Sequence, residues 1–271
     1  MTMKLTLAFE RVKKQEIIFE IEQRFFDRIE DREFVTFDAT SASLRARRVR
    51  RLGALILTEQ TRPVAPDSES ARLLAEGIAA LGLHRLPWSK AQLQLRNRVM
   101  FLRRAEGDEW PDLSDGALSG TAAEWLAPFL TGKSSLSQIG ADDLAAVLAA
   151  LLPWNLRKRL DAEAPTHFSA PSGSQVPIDY EAEAGPKLSI RVQELFGLAV
   201  HPTIIGGRVP LLIELLSPAH RPVQMTRDLP GFWRGSYRDV RTDLRVRYPK
   251  HPWPEDPLTA LATRRAKRPG Q

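Results

Sequence analysis

A chain of 271 residues, 43% hydrophobic and 27% charged, allows one or two domains with a sizeable core. Lys and Arg number 39 against 33 Asp and Glu, and the net charge of +6 favours a polyanionic partner without requiring one. The absence of cysteine excludes disulfides, thiolate zinc sites and a cysteine nucleophile, and with neither a run of about 18 apolar residues nor a signal-peptide pattern a cytoplasmic, membrane-free protein is expected.

Residues 1–63 read as a helix, QEIIFEIEQRFFDRI, followed by two strand-like stretches, REFVTFDA and SLRARRVRRLGALILTE. The second stretch crowds Arg45, Arg47, Arg48, Arg50 and Arg51 into seven positions, which is costly unless an anion or many acids relieve the repulsion. Two readings stand: a phosphate-binding strand, or a solvated edge strand kept from aggregating by its charges.

Pro63 and Pro66 form a linker into residues 64–165, which read as a helical bundle. Its first helix is capped by Asp67 or Ser68 and buries Leu73, Leu74, Ile78 and Leu81. The next runs through LPWSKAQLQLRNRVMFLRRAEG, with Leu93, Val99, Met100 and Leu102 on the buried side and Arg96, Arg98, Arg103 and Arg104 on the wet side. A third lies in WPDLSDGALSGTAAEWLAPFL, and a fourth in DDLAAVLAALLPWNLRKRLDAEAP, broken near Pro153. Trp88, Trp110, Trp125 and Trp154 read as core plugs rather than base-stacking platforms.

Residues 166–258 read as α+β, a small antiparallel sheet with a helix packed on it. Ser172-Gly173 suggests a hairpin, Ile190, Val192 and the run from Leu211 to Leu216 the buried face, and Gly206-Gly207 a turn. From about Gly231 one helix places Trp233, Tyr237, Val240, Leu244 and Tyr248 on an apolar stripe and Arg234, Arg238, Arg241 and Arg245 on a basic stripe beside it. Asp228 and Pro230 start that helix, and Tyr248-Pro249 stops it. The extended tail is ordered only if Trp253 is held in a pocket. Trp233, Tyr237 and Trp253 are the docking candidates, and residues 259–271 are expected to be a basic disordered tail.

Catalytic chemistry finds little support. Gly132-Lys133-Ser134 is the nearest fragment to a phosphate-binding loop, but Ala127 stands where the first glycine is needed, and no Asp-Glu-Ala-His tetrapeptide occurs. His84, His167, His201, His220 and His251 show no i, i+4 pairing for a metal. His167 lies near Ser169, Ser172 and Asp179, but no G-x-S-x-G elbow presents a nucleophile. No catalytic or metal-ligating residue is therefore assigned.

The runs LRARRVRRLGALIL, AEWLAPFL, APTHFSAPSGSQVPIDY, GGRVP, LLIELLSPAHRPVQ and MTRDLPGFWRGSYRDVRTDLRVRYPKHPWPEDP together resemble the C-terminal region of the HrpB family, bacterial DEAH-box ATP-dependent RNA helicases. The resemblance spans roughly residues 15–258. It implies that residues 1–63 are similar to an oligonucleotide-binding part, that the basic strand meets RNA, and that this chain is an accessory part. ATP and Mg2+ would belong to the RecA-like motor domains, so no cofactor and no ATPase are expected here. RNA or another nucleic acid, the motor domains or another protein are the implied partners. The alternative is a protein-interaction module or a non-catalytic remnant of a truncated helicase gene.

Overall fold

The computed structural model describes residues 2–265, with side chains described from residue 13 onward. The chain divides into two compact units, Met1–Trp88 with Asp115–Leu148, and Ser89–Ser114 with Ala149–Gln271. The fold class is α+β, as the alternation of helical and strand-like runs implies.

The first unit begins with helix α1 (Thr2–Arg24) and continues into a three-stranded meander of β1 (Ile29–Asp38), β2 (Ser43–Leu52) and β3 (Leu55–Arg62). Both pairings are antiparallel and β2 is central. The run expected as one strand folds back at Gly53-Ala54, where Gly53 takes φ +57 and Leu52 pairs with Leu55. Leu44 and Ala46 point from β2 into the core.

Helix α2 (Ser68–Leu81) packs on β1 and β2 and buries Leu74, Ala75 and Ile78. Asp67 caps it, accepting a bond from Ser70 N at 2.8 Å. Gly77 of α2 faces the Phe37 ring so closely that a Cβ would overlap it.

The chain then enters the second unit with α3 (Lys90–Glu106) and returns to the first with α4 (Asp115–Gly120), α5 (Ala122–Trp125) and α6 (Ala141–Leu151). The expected single bundle over residues 64–165 is thus shared out: α2, α4 and α5 pack together, whereas α3 packs with α7 (Trp154–Glu163). Pro153 separates α6 from α7, as its missing donor and ring sterics require.

On α3 the expected faces are partly exchanged. Leu93 is exposed, and Arg96 and Arg98 are buried because they bond main-chain carbonyls. Arg98 Nε donates to Ala164 O at 2.5 Å, and its Nη2 donates to Leu160 O at 3.1 Å and Asp161 Oδ1 at 2.7 Å, capping the C-terminal end of α7. Arg96 donates twice to Leu113 O. Trp110 and Trp125 are core plugs, but Trp154 is 76% exposed at the start of α7, because α7 buries Leu156 and Leu160 instead.

The second unit holds a five-stranded sheet in the order β10-β9-β6-β5-β4, with β4 (His167–Ser169), β5 (Gln175–Asp179), β6 (Lys187–Arg191), β9 (Leu212–Leu216) and β10 (Pro222–Thr226). A small ladder, β7 (Thr203–Ile204) with β8 (Val209–Pro210), turns through Gly206 and Gly207, both at positive φ. The sheet is mixed, not antiparallel: β6 and β9 run parallel, because the chain from Val192 to Leu211 forms a crossover long enough for that pairing.

The β4–β5 hairpin turns at Gly173, φ +81. Buried Glu194 holds it by accepting from Ser172 at 2.8 Å and from Ser174, while pairing with Arg191 at 2.8 Å.

Candidate nucleic-acid interface

Period-two alternation splits the β2 arginines between two faces of the sheet. Arg48 and Arg50 share a face with Asp31, Thr58, Gln60 and Arg62, and these residues line a cleft of about 480 Å³ that Gln15, Ile18, Phe19 and Glu22 of α1 close. Arg45, Arg47 and Arg51 occupy the opposite face by their register against Thr36, Phe34 and Glu30.

Every one of the five has a carboxylate. Arg48 grips Asp31 with Nε at 2.8 Å and Nη2 at 2.5 Å, and Arg50 meets Glu22 at 2.5 Å. Arg51 pairs with Glu30 at 3.0 Å, Arg47 with Glu59 at 2.8 Å and Arg45 with Asp38 at 3.5 Å. The hydrogen bond from Arg48 holds the Asp31 carboxyl below its usual range, and that from Arg51 does the same for Glu30. The repulsion that five neighbouring guanidiniums would suffer is relieved from within the unit.

At the C-terminal end of the second unit the expected single helix is interrupted. Helix α8 (Leu229–Arg234) and helix α9 (Tyr237–Arg247) meet at Gly235-Ser236, where Gly235 leaves helical geometry. Asp228 caps α8 by accepting from Gly231 N at 2.9 Å, and α9 ends at Tyr248. Phe196, Phe232, Trp233 and Tyr237 form a tilted and edge-to-face cluster, with Trp233 and Tyr237 centroids 5.3 Å apart.

The docking candidates are consumed by this packing. Trp233, Tyr237 and Trp253 are 7%, 2% and 8% exposed, and their polar atoms bond Leu198 O, Pro254 O and Tyr248 O, each at 2.9 Å. They anchor the tail to its own unit, although Trp253 also lines a surface cleft. Trp253 does occupy the pocket that ordering of the tail demands, and the tail bonds on through Pro257 O to Gly197 N and Thr263 N to Gln193 O. The expected disordered segment, residues 259–271, therefore begins with bonded residues. Residues 266–271 lie outside the described residues.

The arginines of α8 and α9 differ from those of β2. Arg241 is held, donating to Trp253 O at 3.0 Å and Glu255 at 3.2 Å. Arg234, Arg238 and Arg245 are exposed and have no ion-pair partner among the described residues. Arg238, Arg241 and Arg245 share a face of α9, and Arg234 belongs to α8 across the break. At the end of this row lies a cleft of about 500 Å³ lined by Arg241, Arg245, Pro249, His251 and Trp253.

The discarded catalytic fragments find structural roles. Lys133 donates to Gln138 O and pairs with Asp143 at 3.0 Å, and Ser134 O accepts from Leu44 N. His167 bonds Thr166, while Ser169 bonds Gln175 and Ser172 bonds Glu194, so no serine is joined to that histidine. Among the described residues there is no cluster of three or more His, Cys, Asp or Glu able to hold a metal, and no helix long and apolar enough to cross a membrane.

Two family profiles match the chain: the HrpB connector region of ATP-dependent RNA helicases over residues 28–61, and an ATP-dependent helicase C-terminal region of HrpB over residues 125–257. The ATP-dependent RNA helicase HrpB of Escherichia coli (strain K12) is 40% identical over 254 residues, covering 93% of this chain and 31% of that protein. The chain belongs to the HrpB family, matching its C-terminal region. The crystal structure of the E. coli DExH-box NTPase HrpB matches with a TM-score of 0.70 at 39% identity, over 92% of this chain and 31% of that one. A second, of the E. coli DEAH/RHA helicase HrpB, gives 0.62 at 37% identity, over 83% and 29%. The chain thus spans about a third of the length of the HrpB relatives it matches. The β1–β3 meander falls in the connector match, and α8, α9 and the Trp253 tail fall in the C-terminal match.

Sequence reasoning missed the acids that answer the β2 arginines, although Glu30, Asp31 and Asp38 stand in plain sight in β1. It also gave Glu194 no role and weighed His251 only as a metal ligand. The adjacent acids Glu30 and Asp31 of IED were the signal available, and their pairing depends on a register that spacing alone does not fix.

Proposed function

We propose that the chain is an accessory part of an HrpB-type ATP-dependent RNA helicase that holds the nucleic-acid backbone without hydrolysing ATP itself, in the cytoplasm. The observation that carries this reading is the contrast between two arginine groups. Guanidiniums already satisfied by carboxylates gain little from phosphate, whereas Arg234, Arg238 and Arg245 are exposed and uncommitted. The backbone contact falls chiefly to this row, with Arg241 as its fixed member. Arg45, Arg47, Arg48, Arg50 and Arg51 contribute only where phosphate displaces their acids.

The test is RNA binding by the purified chain across a salt series, with ATP hydrolysis measured on the same sample. Each single-strand phosphate contact contributes about 0.7 to the slope of log affinity against log salt. The triple substitution Arg234→Ala, Arg238→Ala, Arg245→Ala is therefore expected to lower that slope by about 2. Arg47→Ala with Arg51→Ala is expected to change it by less than about 0.7. Binding insensitive to salt, or equal losses from both sets, refutes the assignment.

Docking on the remainder of an HrpB-type helicase is a second reading, favoured by a separate observation. Ile17, Phe19, Phe26, Leu55 and Ile56 of the first unit are all more than half exposed. Such a density of solvated apolar side chains is what a covered surface leaves behind when its partner is absent. Charged substitutions at Phe19 and Ile56 should then weaken association with a motor-domain fragment without altering RNA binding by this chain.

A further inference from the structure

The cleft at the end of the α9 row has a chemistry that phosphate holding does not explain. Two of its five lining side chains are aromatic rings, His251 and Trp253, and a third is the saturated ring of Pro249; the other two are guanidiniums, and no acid lines it. Its volume, about 500 Å³, lies within the range of small-molecule sites. Bonds within the unit fix its walls. Trp253 Nε1 donates to Tyr248 O at 2.9 Å, and Arg241 Nε donates to Trp253 O at 3.0 Å. Gln193 Nε2 lies 3.0 Å from His251 Nδ1, so Nδ1 accepts and the ring keeps its proton on Nε2. Burial, reinforced by Arg191, lowers the pKa of His251 and keeps the imidazole neutral near pH 7.

We propose that this cleft is a slot for one unstacked nucleobase of a single-stranded nucleic acid, with the flanking phosphates on Arg245 and Arg238. The inference rests on the backbone-binding reading above and adds what that reading lacks, a means of telling single strand from duplex. Aromatic rings with guanidiniums beside them are the combination that single-strand binders use, since every base has a π-face and every nucleotide a phosphate. A base within a duplex is stacked and paired and cannot enter. Because its walls are set by internal bonds, the slot loses little side-chain freedom on binding.

The experiment uses the full chain and fluorescence anisotropy with three labelled 12-nucleotide probes: a single-stranded RNA, the same strand with its bases removed at four central positions, and the RNA duplex. Stacking one base is worth about 1–3 kcal/mol, a factor of about 5 to 150 in affinity, so the intact strand is expected to bind at least about fivefold tighter than the abasic strand. His251→Ala should reduce that difference to less than about twofold and leave duplex binding unchanged, and His251→Phe, which keeps a ring, should preserve most of it. Equal binding of intact and abasic strands by the unaltered chain overturns the slot while leaving the arginine row standing. So does a loss from His251→Ala shared by single strand and duplex. Failure to bind any of the three probes overturns the row and the slot together. Preference for an acidic peptide, competed in at equal concentration, would assign the cleft to a protein ligand and also overturn the proposal.

Discussion

Arg98 offers a severe test of the second unit's architecture, because an arginine of α3 is here a structural bolt. Its side chain is 5% exposed, and it donates at 2.5 Å to Ala164 O and at 3.1 Å to Leu160 O, the second of which also accepts from Ala164 N at 2.9 Å. Arg98→Met keeps most of the stem and its packing while removing both bonds. Each bond from a charged donor to a buried carbonyl contributes about 1.5 kcal/mol at the low end, so the two together give ~3 kcal/mol. The contact with Asp161 adds little, because that carboxylate is 77% exposed. Relief from burying a charge offsets part of the loss, leaving an expected destabilisation of about 2–3 kcal/mol.

The assay is urea unfolding followed by far-UV circular dichroism, with hydrogen exchange of the α7 amides locating the effect. Arg104→Met, an exposed change on the same helix, should stay within about 0.5 kcal/mol. A loss below about 0.5 kcal/mol for Arg98→Met, or equal losses for the two variants, would refute the capping role.

Two further predictions concern Gly77 and Glu194. Ala is normally the better helix former by about 1 kcal/mol, but at Gly77 its Cβ would enter the Phe37 ring, so Gly77→Ala should destabilise the first unit by about 1–3 kcal/mol; a raised melting temperature would show that α2 can move off β1 freely. Burial pushes the Glu194 carboxyl up, but hydrogen bonds from Ser174, Arg191 and Ser172 outweigh it and hold the folded pKa below the ordinary 4.5. A depressed carboxylate contributes stability that is complete above about pH 4.5 and is lost as pH falls through the folded value. Glu194→Gln should therefore lower stability by about 1–2 kcal/mol at pH 7 and flatten the acid limb of the melting curve below about pH 4.5; an unchanged acid limb would remove Glu194 as the clamp on the hairpin.

What the sequence disclosed was local. The break at Pro153, the Asp67 and Asp228 caps, the turn at Gly173 and the stop at Tyr248 are each written in two or three neighbouring residues, and each stands where expected. What it concealed depends on partners distant in the chain. Arg98 and Arg104 are alike in isolation, and only the arrival of α7 carbonyls buries one and leaves the other wet. The parallel pairing of β6 with β9 arises from a crossover that no short window contains.

The arginines make the same argument for function. Five in β2 dominate any reading of charge along the sequence, but the antiparallel register, the bend at Gly53 and α1 bring Glu30, Asp31, Asp38, Glu59 and Glu22 against them. Five positive charges therefore meet five negative ones, and the densest basic run in the chain has a local balance near zero. Among the described residues no carboxylate pairs with Arg234, Arg238 or Arg245 of the sparser row on α8 and α9: Asp243 is taken by Arg247 and Glu255 by Arg241, and Asp239 pairs with none of the three. Affinity for a polyanion follows uncompensated charge, so the tertiary register, not the count of arginines, decides which surface a nucleic acid would find.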